Sequence, residues 1–223
     1  MKTANTVHSA QEGRTIIETL AYIMVMISVT AGIATVVSRG YYRYECSAIQ
    51  QDLVDLHKAI TKHYAIDGQY SRVHWDDLCE DKLGPKSIMP ERVCSGEGEN
   101  MRCWCKHSKG QHIFEGEVDI GKGDCSEEDV NGDSDENNYC ATFYIEFKNL
   151  PRDVCAQLGT KSWTTTSGSD LERMIINNTL WYWEYSPLGA YGGYKKHYLP
   201  ASVEEVAVAC HDGYNNTIRW YFN

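Results

Sequence analysis

The chain has 223 residues, 42% of them hydrophobic, and a formal net charge of -10. That length holds one ordinary domain plus an appended segment, and that apolar content argues against global disorder. The negative balance argues against a nucleic-acid role, because phosphate binding needs a basic footprint; much of the acid sits between Glu115 and Glu136 and belongs to one stretch.

The first predicted element is a long helix. From Thr19 to Ser38 there is no charged side chain. Twenty helical residues span about 30 Å, the thickness of a hydrocarbon core, and a cleaved secretory signal would be shorter. The entrance is polar: Gly13, Arg14, Thr15, Ile16, Ile17 and Glu18 lead straight into the apolar run. An acidic side chain there costs up to ~2.5–3.5 kcal/mol if central, so an intramembrane carboxylate calls for a named partner. Beyond the run, Cys46, Ile49, Leu53, Leu56, Ile60 and Tyr64 recur at three- and four-residue steps. They form one apolar stripe, with Asp52, Asp55, Lys58 and Lys62 expected to turn away and His57 and His63 on its flank. Asp67-Gly68 is the expected stop.

Nine cysteines follow the apolar run and none precedes it, which reads as an oxidising compartment for everything downstream. The odd count leaves at least one outside intramolecular bridges. Six of them, Cys79, Cys94, Cys103, Cys105, Cys125 and Cys140, fall in a middle segment with few long apolar runs. Local bridges are expected to substitute there for core, with a connectivity that spacing leaves open. Cys103 and Cys105 are too close to bridge comfortably, so each should reach elsewhere. With His107 and His112 they also make a set that zinc accepts, although an exported segment more often oxidises such thiols. Further on, Asp129, Asn131, Asp133 and Asp135 place oxygen ligands at alternate positions, as calcium loops do. Calcium is the cofactor that this pattern admits. Ser134 and Cys140 depart from an EF-hand loop, and acidic turns of this kind are usually plain solvated ones.

Strict alternation marks two strands, Thr142 to Lys148 and Thr217 to Phe222, with weaker strands at His112 to Ile120 and Leu180 to Tyr185. Gly- and Asn-rich turns favour an antiparallel sheet. Pro151 opens one short helix, and Ser202-Val203-Glu204-Glu205 opens another with a capping box. Each helix carries a cysteine, Cys155 and Cys210, and these two are expected to pair, with about 4 kcal/mol of stabilisation from the long closed loop. Gly168-Ser169-Asp170 reads as a helix lead-in. The tract of Trp181, Tyr182, Trp183, Tyr185, Tyr191 and Tyr194 is either a sticky surface for glycans or a strand and turn with half its rings buried. Gly-x-Ser-x-Gly, the P-loop and His-Glu-x-x-His are absent from the sequence.

Gly13-Arg14-Thr15-Ile16-Ile17-Glu18, followed by Thr19-Leu20 and the apolar run, resembles the processing motif of the type IV prepilin family. The resemblance implies cleavage after Gly13 by a membrane prepilin peptidase, methylation of the new amine on Arg14, and assembly directed by Glu18 with Thr15 beside it. Arg14 departs from the more usual apolar first residue. Between staggered neighbouring helices, the Glu18 carboxylate of one subunit would neutralise the Arg14 amine of the next. The stretch from Ala141 to Asn223 is similar to the C-terminal disulfide region of type IVb pilins, which supports the Cys155–Cys210 pairing.

The implied organisation is a leader (1–13), an assembly helix (14–64, transmembrane about 16–38 and amphipathic 39–64), a cysteine-rich insert (65–140) and a C-terminal sheet and disulfide region (141–223). The expected fold is α+β and pilin-like: a long helix packed on an antiparallel sheet head. The implied partners are other pilin or pseudopilin subunits, the prepilin peptidase and an inner-membrane assembly platform. The implied location is a single pass of the inner membrane with the head in the periplasm, then a surface pilus or periplasmic pseudopilus. Two other functions remain open: a tip adhesin binding glycans through the cysteine-rich head, and a membrane-anchored exported enzyme.

Overall fold

The computed structural model describes residues 8–64, 69–96, 101–123, 125–126, 139–161, 171–182 and 195–223. It divides into two compact units, Met1–Glu45 and Cys46–Asn223. One helix, α1 (His8–Tyr64), runs through both. No proline interrupts it, and good helix formers continue past the apolar run.

In the second unit, the predicted stripe is the buried face of α1. Cys46, Ile49, Leu53, Leu56, Ile60 and Tyr64 are each at most 5% exposed. Two residues expected to turn away or flank this face do not. The His57 ring packs 4.5 Å from Phe222 and 5.6 Å from Phe143, so it belongs to the helix–sheet contact. Asp52 is 9% exposed and accepts a short hydrogen bond from the Ser87 hydroxyl. Burial raises its carboxyl above the ordinary range, against the lowering effect of that hydrogen bond.

Helix α2 (Trp75–Glu80) and the hairpin of β1 (Arg92–Ser95) and β2 (Arg102–Cys105) follow. Then come β3 (Gly110–Gln111), β4 (Glu117–Lys122), β5 (Cys125–Ser126), β6 (Tyr139–Cys140) and β7 (Phe143–Leu150). Helix α3 (Arg152–Thr160) leads to β8 (Leu171–Ile176), β9 (Thr179–Tyr182) and β10 (Lys195–Tyr198), then α4 (Val203–Ala209) and β11 (Asn216–Phe222). The main sheet has the order β10-β9-β8-β11-β7-β4-β3. Its centre is the pair with the strongest alternation: Trp220 lies opposite Ile145 on one side and Met174 on the other, and Ile218 opposite Phe147 and Ile176. All six side chains are fully buried.

Three expectations about strands change. The His112 to Gly116 half of the weak N-terminal strand is a turn. The Glu115 N–H donates to the His112 carbonyl at 2.8 Å, and Glu115 takes a positive φ of 61°. The segment after Asp170 is β8, not a helix: Leu171, Met174 and Ile176 are buried, and pairing with β11 and β9 on both sides outweighs the helix propensity of Leu, Glu, Arg and Met. Finally, β10 runs parallel to β9, so the sheet is mixed at this edge rather than wholly antiparallel.

The two short helices start where their caps predict. Pro151 is the N-cap of α3. The Ser202 side chain accepts from the Glu205 N–H at 3.3 Å, and the Glu205 carboxylate reaches back, completing a capping box. Helices α3 and α4 meet at Gly159, where an added Cβ would lie 2.6 Å from Ile176 Cδ1 and 2.7 Å from Val206 Cγ1. Only a residue without a side chain allows that approach.

Candidate functional site

The first unit is a helix with its apolar side chains outward. Between Ile16 and Val37 the large hydrophobic residues are 49 to 72% exposed. Such a surface is far beyond what a soluble monomer leaves open and marks a membrane or a partner. The helix is long and apolar enough to cross a membrane. Four aliphatic hydroxyls along it are turned inward on the backbone: Ser28 donates to the Met24 carbonyl at 2.8 Å, Thr30 to Met26 at 2.7 Å, Thr35 to Ala31 at 2.8 Å and Ser38 to Thr35 at 3.1 Å. Hydroxyls satisfied this way need no water, as a hydrocarbon environment requires. Glu18 is then the one charged side chain described between Ile16 and Ser38, and it is exposed. Gly13, Arg14 and Thr15 lie in the first turns of α1.

In the second unit, disulfides tie the segments that the sheet does not. Cys155 on α3 is bonded to Cys210 at the end of α4, with Cα atoms 6.0 Å apart. Cys79 on α2 is bonded to Cys105 on β2, and Cys94 to Cys103 across the hairpin. Cys103 and Cys105 thus reach different partners. Cys140 is disulfide-bonded, and in β5–β6 its cross-strand neighbour is Cys125. Cys46 is buried and keeps its thiol.

These bonds remove the thiols of the zinc reading, and His112 is occupied as well. Its Nε2 lies 2.7 Å from the Lys148 carbonyl, and its Nδ1 accepts from the Phe114 N–H at 3.2 Å. Among the described residues no group of His, Cys, Asp and Glu is placed to hold a metal. The calcium candidates Asp129, Asn131, Asp133 and Asp135 lie outside the described residues. So does the aromatic tract from Trp183 to Tyr194; of its first members, Trp181 is fully buried and Tyr182 half-buried.

Two features escaped the sequence reading. On the sheet face opposite α1, the Arg219 guanidinium stands 4.6 Å over the Tyr144 ring and binds Glu146 at 2.8 Å, while Arg173 stands 3.9 Å over Tyr221. Burial alone would lower the Arg219 pKa, but the Tyr221 hydroxyl and Glu146 raise it above its ordinary value. The strict alternation of β7 and β11 holds the signal for this face, since it fixes which residues stand opposite the core. The second feature is the β1–β2 hairpin, where Met101, just before β2, and Trp104, within it, are 56% and 42% exposed.

Residues 108–223, just over half of the chain, match the family model described as PilS N terminal. No curated protein matches. Among solved structures, a type IVb pilin from Salmonella typhi is similar at 15% identity and a TM-score of 0.40, over 77% of this chain and 97% of that one. The matched residues are the sheet, both short helices and the Cys155–Cys210 bond, and the chain belongs to the PilS N-terminal family as a type IV pilin-like protein.

Proposed function

We propose that the protein is a filament subunit of a type IV pilus or a type II secretion-like pseudopilus, structural rather than catalytic. It is cut after Gly13 by a prepilin peptidase, methylated at Arg14, and packed helix against helix on an inner-membrane platform. One observation carries the reading: an exposed, hydroxyl-satisfied apolar helix with a single carboxylate, Glu18, at its entrance. In lipid the helix is a stable single-pass anchor. In a filament the same apolar side chains become the core, and association rests on packing and on the few polar groups. Glu18 is unfavourable in either setting until a cation meets it, and the α-amine of a neighbouring Arg14 supplies one.

The test is Glu18→Ala beside Glu18→Gln in the full chain. We expect both variants to enter the membrane and keep the Cys155–Cys210 bond, and to enter filaments at least tenfold less than wild type. Normal filament entry by Glu18→Ala would refute the role given to this carboxylate. The second reading, a tip-located binding subunit, has its own observation in the exposed Trp104 of the disulfide-tied hairpin.

A further inference from the structure

On β1 and β2, side chains alternate between two faces. Cys94 and Cys103 point to one; Val93 and Trp104, which face each other in the register, point to the other. Cys103 and Cys105 are both locked in disulfides, so the residue between them, Trp104, is held on both sides. Two residues along the ladder, about 7 Å away, the same face carries Lys106 bonded to Glu91 at 2.7 Å. Glu91 also lines a cleft of about 690 Å³, together with Lys109, Gln111, Glu115 and Glu117 and the apolar Met89 and Pro90.

Carboxylates outnumber cations in the lining of this cleft, Glu91, Glu115 and Glu117 against Lys109. Lys106 takes Glu91, and Lys109 takes Glu117 at 2.8 Å with Lys148 at 3.6 Å from the same oxygen. That excess of carboxylates disfavours an anionic ligand. Both pairs use only the carboxylate Oε2, so each Oε1 remains an acceptor, and each ammonium keeps donors to spare. The Gln111 amide adds both kinds of group. An exposed aromatic side chain on the hairpin that leads to this field of donors and acceptors fits a ligand with many hydroxyls and an apolar ring face.

We infer that this hairpin and cleft form a binding site for a neutral oligosaccharide, one sugar ring stacking on Trp104 and the next placing its hydroxyls against Glu91, Gln111 and Glu117. The site uses no residue of the apolar helix, so it stands or falls separately from the assembly reading.

The test uses the full chain in a detergent without a sugar headgroup. It is applied to an array of lactose, N-acetyllactosamine, maltotriose and mannotriose, beside sialylated and sulfated counterparts. The expected result is retention of at least one neutral oligosaccharide, cut tenfold or more by Trp104→Ala and at least threefold by Gln111→Ala, with both variants keeping the wild-type disulfides. Gln111→Ala, at an exposed side chain, gives an independent reading should Trp104→Ala disturb the hairpin. No neutral ligand retained, retention of charged counterparts only, or equal retention by both variants overturns the site.

Discussion

His112 is held in its neutral form by the groups around it. One ring nitrogen donates to the Lys148 carbonyl and the other accepts from the Phe114 N–H, while the ring stacks 5.7 Å from Phe147. Burial lowers its pKa below the ordinary value. The unfolded chain therefore binds a proton near pH 6.5, and the folded chain does so only at lower pH. The stability this ring contributes is complete above about pH 6.5 and is lost as the pH falls below it, by at most about 1.4 kcal/mol per pH unit. Urea unfolding from pH 7.5 down to 5.0 should show the decline, and His112→Gln should flatten it; an identical slope in the variant would contradict this assignment. Neither the ring's burial nor its partners could be read from the sequence, because they depend on a turn that returns the ring to β7. Asp52 makes the same point. It occupies a position that helical spacing assigns to solvent, yet Ser87, from a distant segment, covers it.

At the level of elements, periodicity identified those that carry their own signal. The stripe of α1, the alternation of β7 and β11, Pro151 before α3 and the capping box of α4 are local, and the structure contains all of them. The strand β8 is not local: its residues favour a helix, and only pairing between β11 and β9 makes it a strand. Contact between α3, α4 and β8 rests on Gly159. Gly159→Val should overpack that junction and destabilise the head by about 1–3 kcal/mol in denaturant unfolding; an unchanged midpoint would show that the helices can separate without loss. The Cys155–Cys210 bond spans 55 residues and joins the same two helices. Replacing both cysteines by alanine should lower stability by about 2–5 kcal/mol, read as the difference between variant and oxidised wild type. A variant as stable as wild type would mean that packing alone holds α3 to α4. The pairings of Cys79 with Cys105 and Cys94 with Cys103 were beyond sequence reading, since four cysteines already allow three connectivities.

The whole molecule combines two units of opposite surface character on one helix. Cys46–Asn223 buries its apolar residues against a mixed sheet and ties α2 to β2, β1 to β2 and α3 to α4 with disulfides. The other unit exposes its apolar residues and satisfies the hydroxyls of Ser28, Thr30 and Thr35 on its own backbone. The exposed apolar helix fits a membrane anchor, and the proposed filament would bury the same side chains. The candidate assembly residues were legible because they are a local motif against a plain apolar background. The hairpin site was not, because it depends on which cysteines meet. The account turns on maturation of the N-terminus, and mass spectrometry of the chain purified from cells with an active prepilin peptidase measures it directly. The account predicts a mature chain beginning at Arg14 and one methyl group heavier than its sequence; a chain that still begins at Met1, or that is cut elsewhere, would contradict it.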